Sequence, residues 1–321
     1  MTKRNKYIIL TIICIFSIIL LQALSQPQPS LRKEINFIPD EQTLLESPYA
    51  PLFMILILFY LALIVTGIAN LVLFIGRKLS KKPLVTIQEK TIEFPLLEEK
   101  ASKLMFLISL FVLLIYIIEF SISAFLATSF TKTPFINLAI LLNLALEITV
   151  IITILKFIKQ DFLIFRIKKS HLTALLRIYT AMLPLILGAL LLNNFLLEKT
   201  NTPPSLNPAI EAILFLKNKF SILLIVSQVI AVGPVAEELL FRGFFYKFLR
   251  TKYSFGISAI LISILFAFIH GTPQDTLPLF IISMMLCYVY EKTQNILAPI
   301  IFHSIHNTLS ISILLTLKNL I

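Results

Sequence analysis

Apolar runs long enough to cross a bilayer follow one another along almost the whole chain. A hydrocarbon core of about 30 Å is crossed by about 20 helical residues. Backbone in that medium must satisfy its own polar groups, so each run is confined to a helix. The runs fall at about 7–24, 51–76, 104–129, 135–157, 172–197, 220–246, 256–270, 277–290 and 296–317. The fold expected is therefore all-α, a polytopic membrane helix bundle of about nine transmembrane helices. Of the 321 residues, 58% are hydrophobic and 14% charged, against roughly 25% charged in soluble domains.

The first run follows Lys3, Arg4 and Lys6 and ends near Ala23-Leu-Ser25, the shape of a signal peptide with a small-residue cleavage site. An uncleaved first helix is favoured, because many spans follow; cleavage would leave about eight. Residues 25–50 read as an exposed polar loop, and 77–103 as the longest basic one. Val85 to Phe94 alternates weakly, which suits a short strand or an interfacial segment. The net charge is +11. Most of the basic residues between spans lie in 77–103, 158–171, 247–255 and 291–295, which predicts a cytoplasmic N-terminus and an outer C-terminus. That placement, with no basic–aromatic surface, argues against a nucleic-acid partner. His171 sits beside Lys168 and Lys169 and reads as solvated. Cys14 and Cys287 lie in separate apolar runs and read as packing residues, with no disulfide framework.

One run breaks the pattern. Gly233-Pro-Val-Ala-Glu-Glu-Leu-Leu-Phe-Arg242 puts three ionisable groups within six residues of an apolar span. Each costs at least about 2.5–3.5 kcal/mol at mid-bilayer. Glu238 and Arg242 are four apart and share a helical face in the favourable order. Glu237 points about 100° away and is left free. The Gly233-Pro234 pair predicts a kink that opens the backbone just before the carboxylates. Phe266 and His270 share one face, as do His303 and Asn307. His306 is an alternative to His303; His303 is preferred for its partner at helical spacing. At about 1.5 Å per residue, these groups lie roughly 17–27 Å from the basic anchors Arg250, Lys252 and Lys292, so a shared intramembrane site is allowed.

A carboxylate in low dielectric can serve as a general base or acid. Glu237, helped by His270, could activate water for peptide-bond hydrolysis, with His303 and Asn307 donating to an oxyanion. Glu237, His270 and His303 are equally a zinc set of the catalytic type, and the metal question stays open at this point. So do two other readings. The buried Glu and His groups could form the proton relay of a carrier, although no internal repeat is visible. Glu237, Glu238 and Arg242 could also be one structural ion cluster that ties helices together, and a non-catalytic peptide-binding immunity protein is a third functional class.

Glu237-Glu238-x-x-x-Arg242-Gly243, Phe266-x-x-x-His270 and His303-x-x-x-Asn307, in that order, resemble the three motifs of the CAAX-protease and bacteriocin-processing (CPBP) family, which includes type II CAAX prenyl endopeptidases. Tyr290-Glu-Lys-Thr293 and Leu297-Ala-Pro299 resemble the run that precedes the third motif. The resemblance covers about 172–317. It implies a core at 172–321 and leaves 1–171 as an N-terminal membrane extension of about four spans. It implies an integral protein of a prokaryotic plasma membrane, an intramembrane endopeptidase acting on a membrane-associated substrate, either a prenylated CAAX-type or a bacteriocin-like peptide. Glu237 would activate water with His270 assisting, His303 and Asn307 would form the oxyanion site, and Glu238 and Arg242 would support them. Ser283 and Cys287 stand where the family commonly has two glycines, a departure that keeps small side chains at the helix contact.

Overall fold

The computed structural model describes residues 3–25, 46–80, 100, 102–110, 112–114, 117, 133–157, 169–202, 207–270 and 272–319. The weakly alternating stretch at 85–94, most of the two expected polar loops and the side chain of His171 lie outside the described residues. Among those described the chain is helical, without strands. The helices are α1 (Lys3–Ser25), α2 (Ala50–Leu79), α3 (Thr133–Phe157), α4 (Lys169–Lys199), α5 (Pro208–Phe215), α6 (Lys219–Arg250), α7 (Phe255–Ile269), α8 (Thr276–Thr293) and α9 (Leu297–Lys318). A further apolar helical segment lies within Ser102–Leu114. Four of them, α2, α4, α6 and α9, have both the length and the hydropathy to cross a membrane. The 15 residues of α7 extend only about 22 Å, short of the hydrocarbon thickness.

Among the described residues the bundle has three apolar centres. Phe241, Phe244 and Tyr246 of α6 pack with Ile262 and Phe266 of α7, Tyr290 of α8, and Val150 and Ile154 of α3. Ile178, Met182 and Leu183 of α4 meet Leu286 and Val289 of α8 and Phe302 of α9. Ile213 of α5, Ile225 of α6 and Ile311 of α9 close one end. Cys14 and Cys287 are both buried and unbridged. By contrast, α2 buries only Ala50 and Gly67 and leaves Val65, Val72 and Leu73 outward, as a lipid-facing helix would.

Gly67 shows why α2 holds its place. Pro184 sits inside α4 and has no N–H, so the Thr180 carbonyl four residues earlier lacks its helical donor. The α2 backbone closes over that carbonyl. A Cβ on Gly67 would lie 2.1 Å from Thr180 O and 2.9 Å from Pro184 Cδ, so only glycine permits the approach. Nearby, Asn70 Nδ2 donates to Thr180 Oγ1 at 2.8 Å.

Polar clamps fix the ends of the helices around the site. Arg250 Nη2 meets Glu291 Oε1 at 2.8 Å, and Tyr246 OH donates to Glu291 Oε2 at 2.7 Å, tying α6 to α8. Lys318 Nζ donates to the carbonyls of Ile213 and Leu216, at the C-terminal end of α5. Asn193 of α4 donates to Pro273 O and Gln274 O at 2.9 and 3.0 Å and accepts from Leu277 N–H at 3.4 Å, strapping the turn that follows His270.

Candidate active site

The motifs sit on three helices, and the turn of each is set by local chemistry. In α6 the expected Gly-Pro break is instead a change of helical register. Gly233 N–H bonds to Gln228 O, five residues back, and residues 228–232 form a π turn. In that register the Val229 carbonyl would face the nitrogen of Pro234, which carries no hydrogen. Asn307 Nδ2 of α9 donates to it at 2.8 Å. The missing backbone donor is thus replaced by a side chain of the third motif, which locks α9 against α6. A second π stretch, Leu239–Tyr246, carries Arg242.

Glu238 and Arg242 are both 0% exposed and paired at 2.9 Å. Arg242 Nη2 also donates to Ser283 O at 3.1 Å and Ser283 Oγ at 2.7 Å. The guanidinium lies 4.8 Å from the Phe266 ring centroid, within cation–π range. Ser283 therefore adds a hydroxyl ligand for the buried cation that a glycine could not supply.

The two histidines are oriented the same way from different helices. His270 closes α7, with Nδ1 at 2.6 Å from the Phe266 carbonyl. A carbonyl only accepts, so Nδ1 bears a hydrogen and Nε2 is the end that faces the site. His303 of α9 places Nδ1 at 2.9 Å from Glu238 Oε1, so its Nε2 also faces inward. Both converge on one atom: His270 Nε2 is 3.9 Å and His303 Nε2 4.0 Å from Glu237 Oε2. Glu237 Oε2 is buried and has no hydrogen-bond partner. The structure thus brings Glu237, Glu238, Arg242, His270 and His303 together, and places Asn307 one helical turn beyond His303, bonded to Val229. His306 turns elsewhere, toward Tyr179, with ring centroids 6.4 Å apart.

By donor type, Glu237, His270 and His303 suit zinc, each imidazole having its second nitrogen tied. By position they do not. Tetrahedral ligands at 2.0–2.1 Å would stand about 3.4 Å apart, closer than the 3.9 and 4.0 Å found. Among the described residues no group of three or more His, Cys, Asp or Glu side chains is placed to hold a metal ion. A water fits better: at about 2.8 Å from two oxygen or nitrogen acceptors, it bridges gaps of this size.

One carboxylate at the site comes from outside the three motifs. Glu147 of α3 accepts from Gln228 Nε2 at 3.0 Å, and its Oε2 is buried and unpartnered. A Cβ on Gly233 would lie 3.4 Å from Glu147 Oε1 and 3.8 Å from Glu237 Oε1. The two acids therefore flank the same gap. The sequence signal was an ionisable residue in the apolar run 135–157, the same one that marks Glu237.

Residues 219–309 match the family described as Type II CAAX prenyl endopeptidase Rce1-like. Over those residues the chain is similar to CPBP proteins. "Putative membrane peptidase YdiL" of Bacillus subtilis (strain 168) is 29% identical over 98 residues, 30% of this chain and 39% of that protein. "UPF0177 protein YxdF" of Lactococcus lactis subsp. lactis (strain IL1403) is 34% identical over 74 residues, 23% of this chain and 40% of its own length. "UPF0177 protein YaiF" of the same strain is 34% identical over 98 residues, 29% of this chain and 43% of its own length. The chain thus spans about two fifths of the length of the relatives it matches. No solved structure matches it significantly. The CPBP match contains all three motifs and excludes α3, the helix that carries Glu147.

Proposed function

We propose that this protein is an intramembrane endopeptidase that hydrolyses a peptide bond by activated water, in a core at 172–321 to which residues 1–171 add a membrane extension. The observation that carries the reading is the unpartnered oxygen Glu237 Oε2, faced by two imidazole Nε2 atoms at 3.9 and 4.0 Å. A water there donates one hydrogen to Glu237 and the other to His270 Nε2. Glu237 takes the proton as the water oxygen adds to the scissile carbonyl carbon. The oxyanion receives Nε2–H of His303 in its doubly protonated form, next to Glu238, and the second Nδ2 hydrogen of Asn307. Glu237 then returns the proton to the departing amine. Glu238 and Arg242 hold His303 and take no part in bond making.

The substrate proposed is a membrane-associated peptide, either prenylated at a CAAX-type terminus or bacteriocin-like, in a prokaryotic plasma membrane with the N-terminus cytoplasmic. The test is purified protein in liposomes against prenylated and unmodified peptide libraries, with products read by mass spectrometry. Cleavage by the wild type, lost in Glu237→Ala and unaffected by chelators, is the expected result. Loss on chelation with recovery on added zinc would overturn the metal-free step. No cleavage of any library member, together with proton flux that disappears in Glu237→Ala, would favour the carrier.

A further inference from the structure

We infer that Glu147 is a positioning residue for Glu237: a neutral carboxylic acid, delivered by the membrane extension, that donates across the Gly233 gap to Glu237 Oε1 and keeps Oε2 turned toward the histidines. This rests on the reading of Glu237 as the water-activating group.

Three observations lead to it. First, α3 is docked on α6 by the face that bears Glu147. Leu146, Val150, Ile151 and Ile154, at helical spacing around it, join the apolar centre formed by Phe241, Phe244 and Phe245. The carboxyl is carried to the site by packing. Second, the oxygens of Glu237 are divided. Oε2 faces the two histidines, while Oε1 borders the gap whose other side is Glu147 Oε1. Third, the donors near Glu147 are too few for an anion. Gln228 Nε2 satisfies Oε1, and Oε2 is buried without a partner.

Two carboxylates flanking one gap in low dielectric do not both ionise; they hold a proton between them. Glu237 must be free to accept a proton from water, so the shared proton belongs to Glu147. Glu147 Oε1 borders the gap and accepts from Gln228 Nε2. A half-turn about the broad terminal torsion exchanges the two carboxyl oxygens, so the protonated one takes that place, accepts from Gln228 through a lone pair and directs its O–H toward Glu237. Gly233 is the residue that leaves the gap open.

The experiment uses the full chain in liposomes and two readouts. Infrared spectroscopy should show the carbonyl stretch of a protonated carboxyl at neutral pH. That band should vanish in Glu147→Gln and persist in Glu237→Gln. Its absence from the wild type, or its survival in Glu147→Gln, overturns the assignment whether or not a substrate has been found. On a cleaved peptide, Glu147→Gln should stay within about threefold of wild type, because the amide donates as the acid does. Glu147→Ala should lower kcat about 100-fold with KM unchanged, the scale of a small misplacement of a reacting group. Equal losses in both variants would mean that Glu147 acts as an anion, and a rise in KM alone would mean that it binds substrate. Either result overturns the inference while leaving Glu237 as the base.

Discussion

Removing Arg242 alone should be far more damaging than removing it together with the charge of Glu238. Both side chains are fully buried and 2.9 Å apart. At that distance unit charges attract by about 6 kcal/mol at an effective dielectric near 20. The desolvation of two ions opposes this with several kcal/mol each, so the pair is close to neutral for stability as a whole. Arg242→Met strips the cation and leaves Glu238 with only the His303 Nδ1 contact at 2.9 Å. An uncompensated buried charge of this kind costs about 3–5 kcal/mol. In Glu238→Gln/Arg242→Met the charge is gone from both sides, and the amide oxygen of the glutamine still accepts from His303. The double variant should recover at least half of the loss. Denaturant titration of helicity in mixed detergent micelles measures both, and the cycle isolates the coupling. If the double variant is as unstable as the single, the loss comes from Arg242 stacking on Phe266, 4.8 Å away, and the electrostatic account fails.

Gly67→Ala should separate α2 from α4, since the new methyl would meet Thr180 O at 2.1 Å; a loss of roughly 1–3 kcal/mol is expected, with weaker crosslinking between cysteines placed on the two helices. Glu291→Gln weakens the Arg250 pair, whose side chains are 21% and 18% exposed, and should lower thermal stability slightly without changing KM on a cleaved peptide. Asn193→Ala frees the turn at 273–277, which continues from His270; kcat should fall about tenfold while thermal stability changes little, and an unchanged kcat would show that the turn does not position His270.

The site was readable in the sequence to the extent that ionisable groups are conspicuous in apolar helices. Glu237, His270 and His303 stand out for that reason, and the i, i+4 spacing of Glu238 and Arg242 anticipates the ion pair. Glu147 obeys the same rule, but its own run has no second motif and the resemblance to CPBP proteins stops short of it. The polar clamps were less legible. Asn193 and Lys318 act on backbone carbonyls about 80 and 105 residues away in sequence, and no local pattern announces a long-range acceptor. Gly233-Pro234 announced a disturbance but not its form. A proline can end, bend or widen a helix, and the choice fell to the Asn307 amide that satisfies Val229.

The widened turns of α6 also have a geometric meaning. A π turn is equivalent to one residue inserted into an α-helix, and one residue is about 100° of azimuth. Everything after 232 is thus out of phase with 219–227. The segment before the turn keeps its apolar seam against α5 and α9, and the segment after it is rotated to aim Glu237 inward. Deleting a single residue between 228 and 232 would restore one continuous phase, leave the hydropathy of the span untouched, and swing both carboxylates off the histidines.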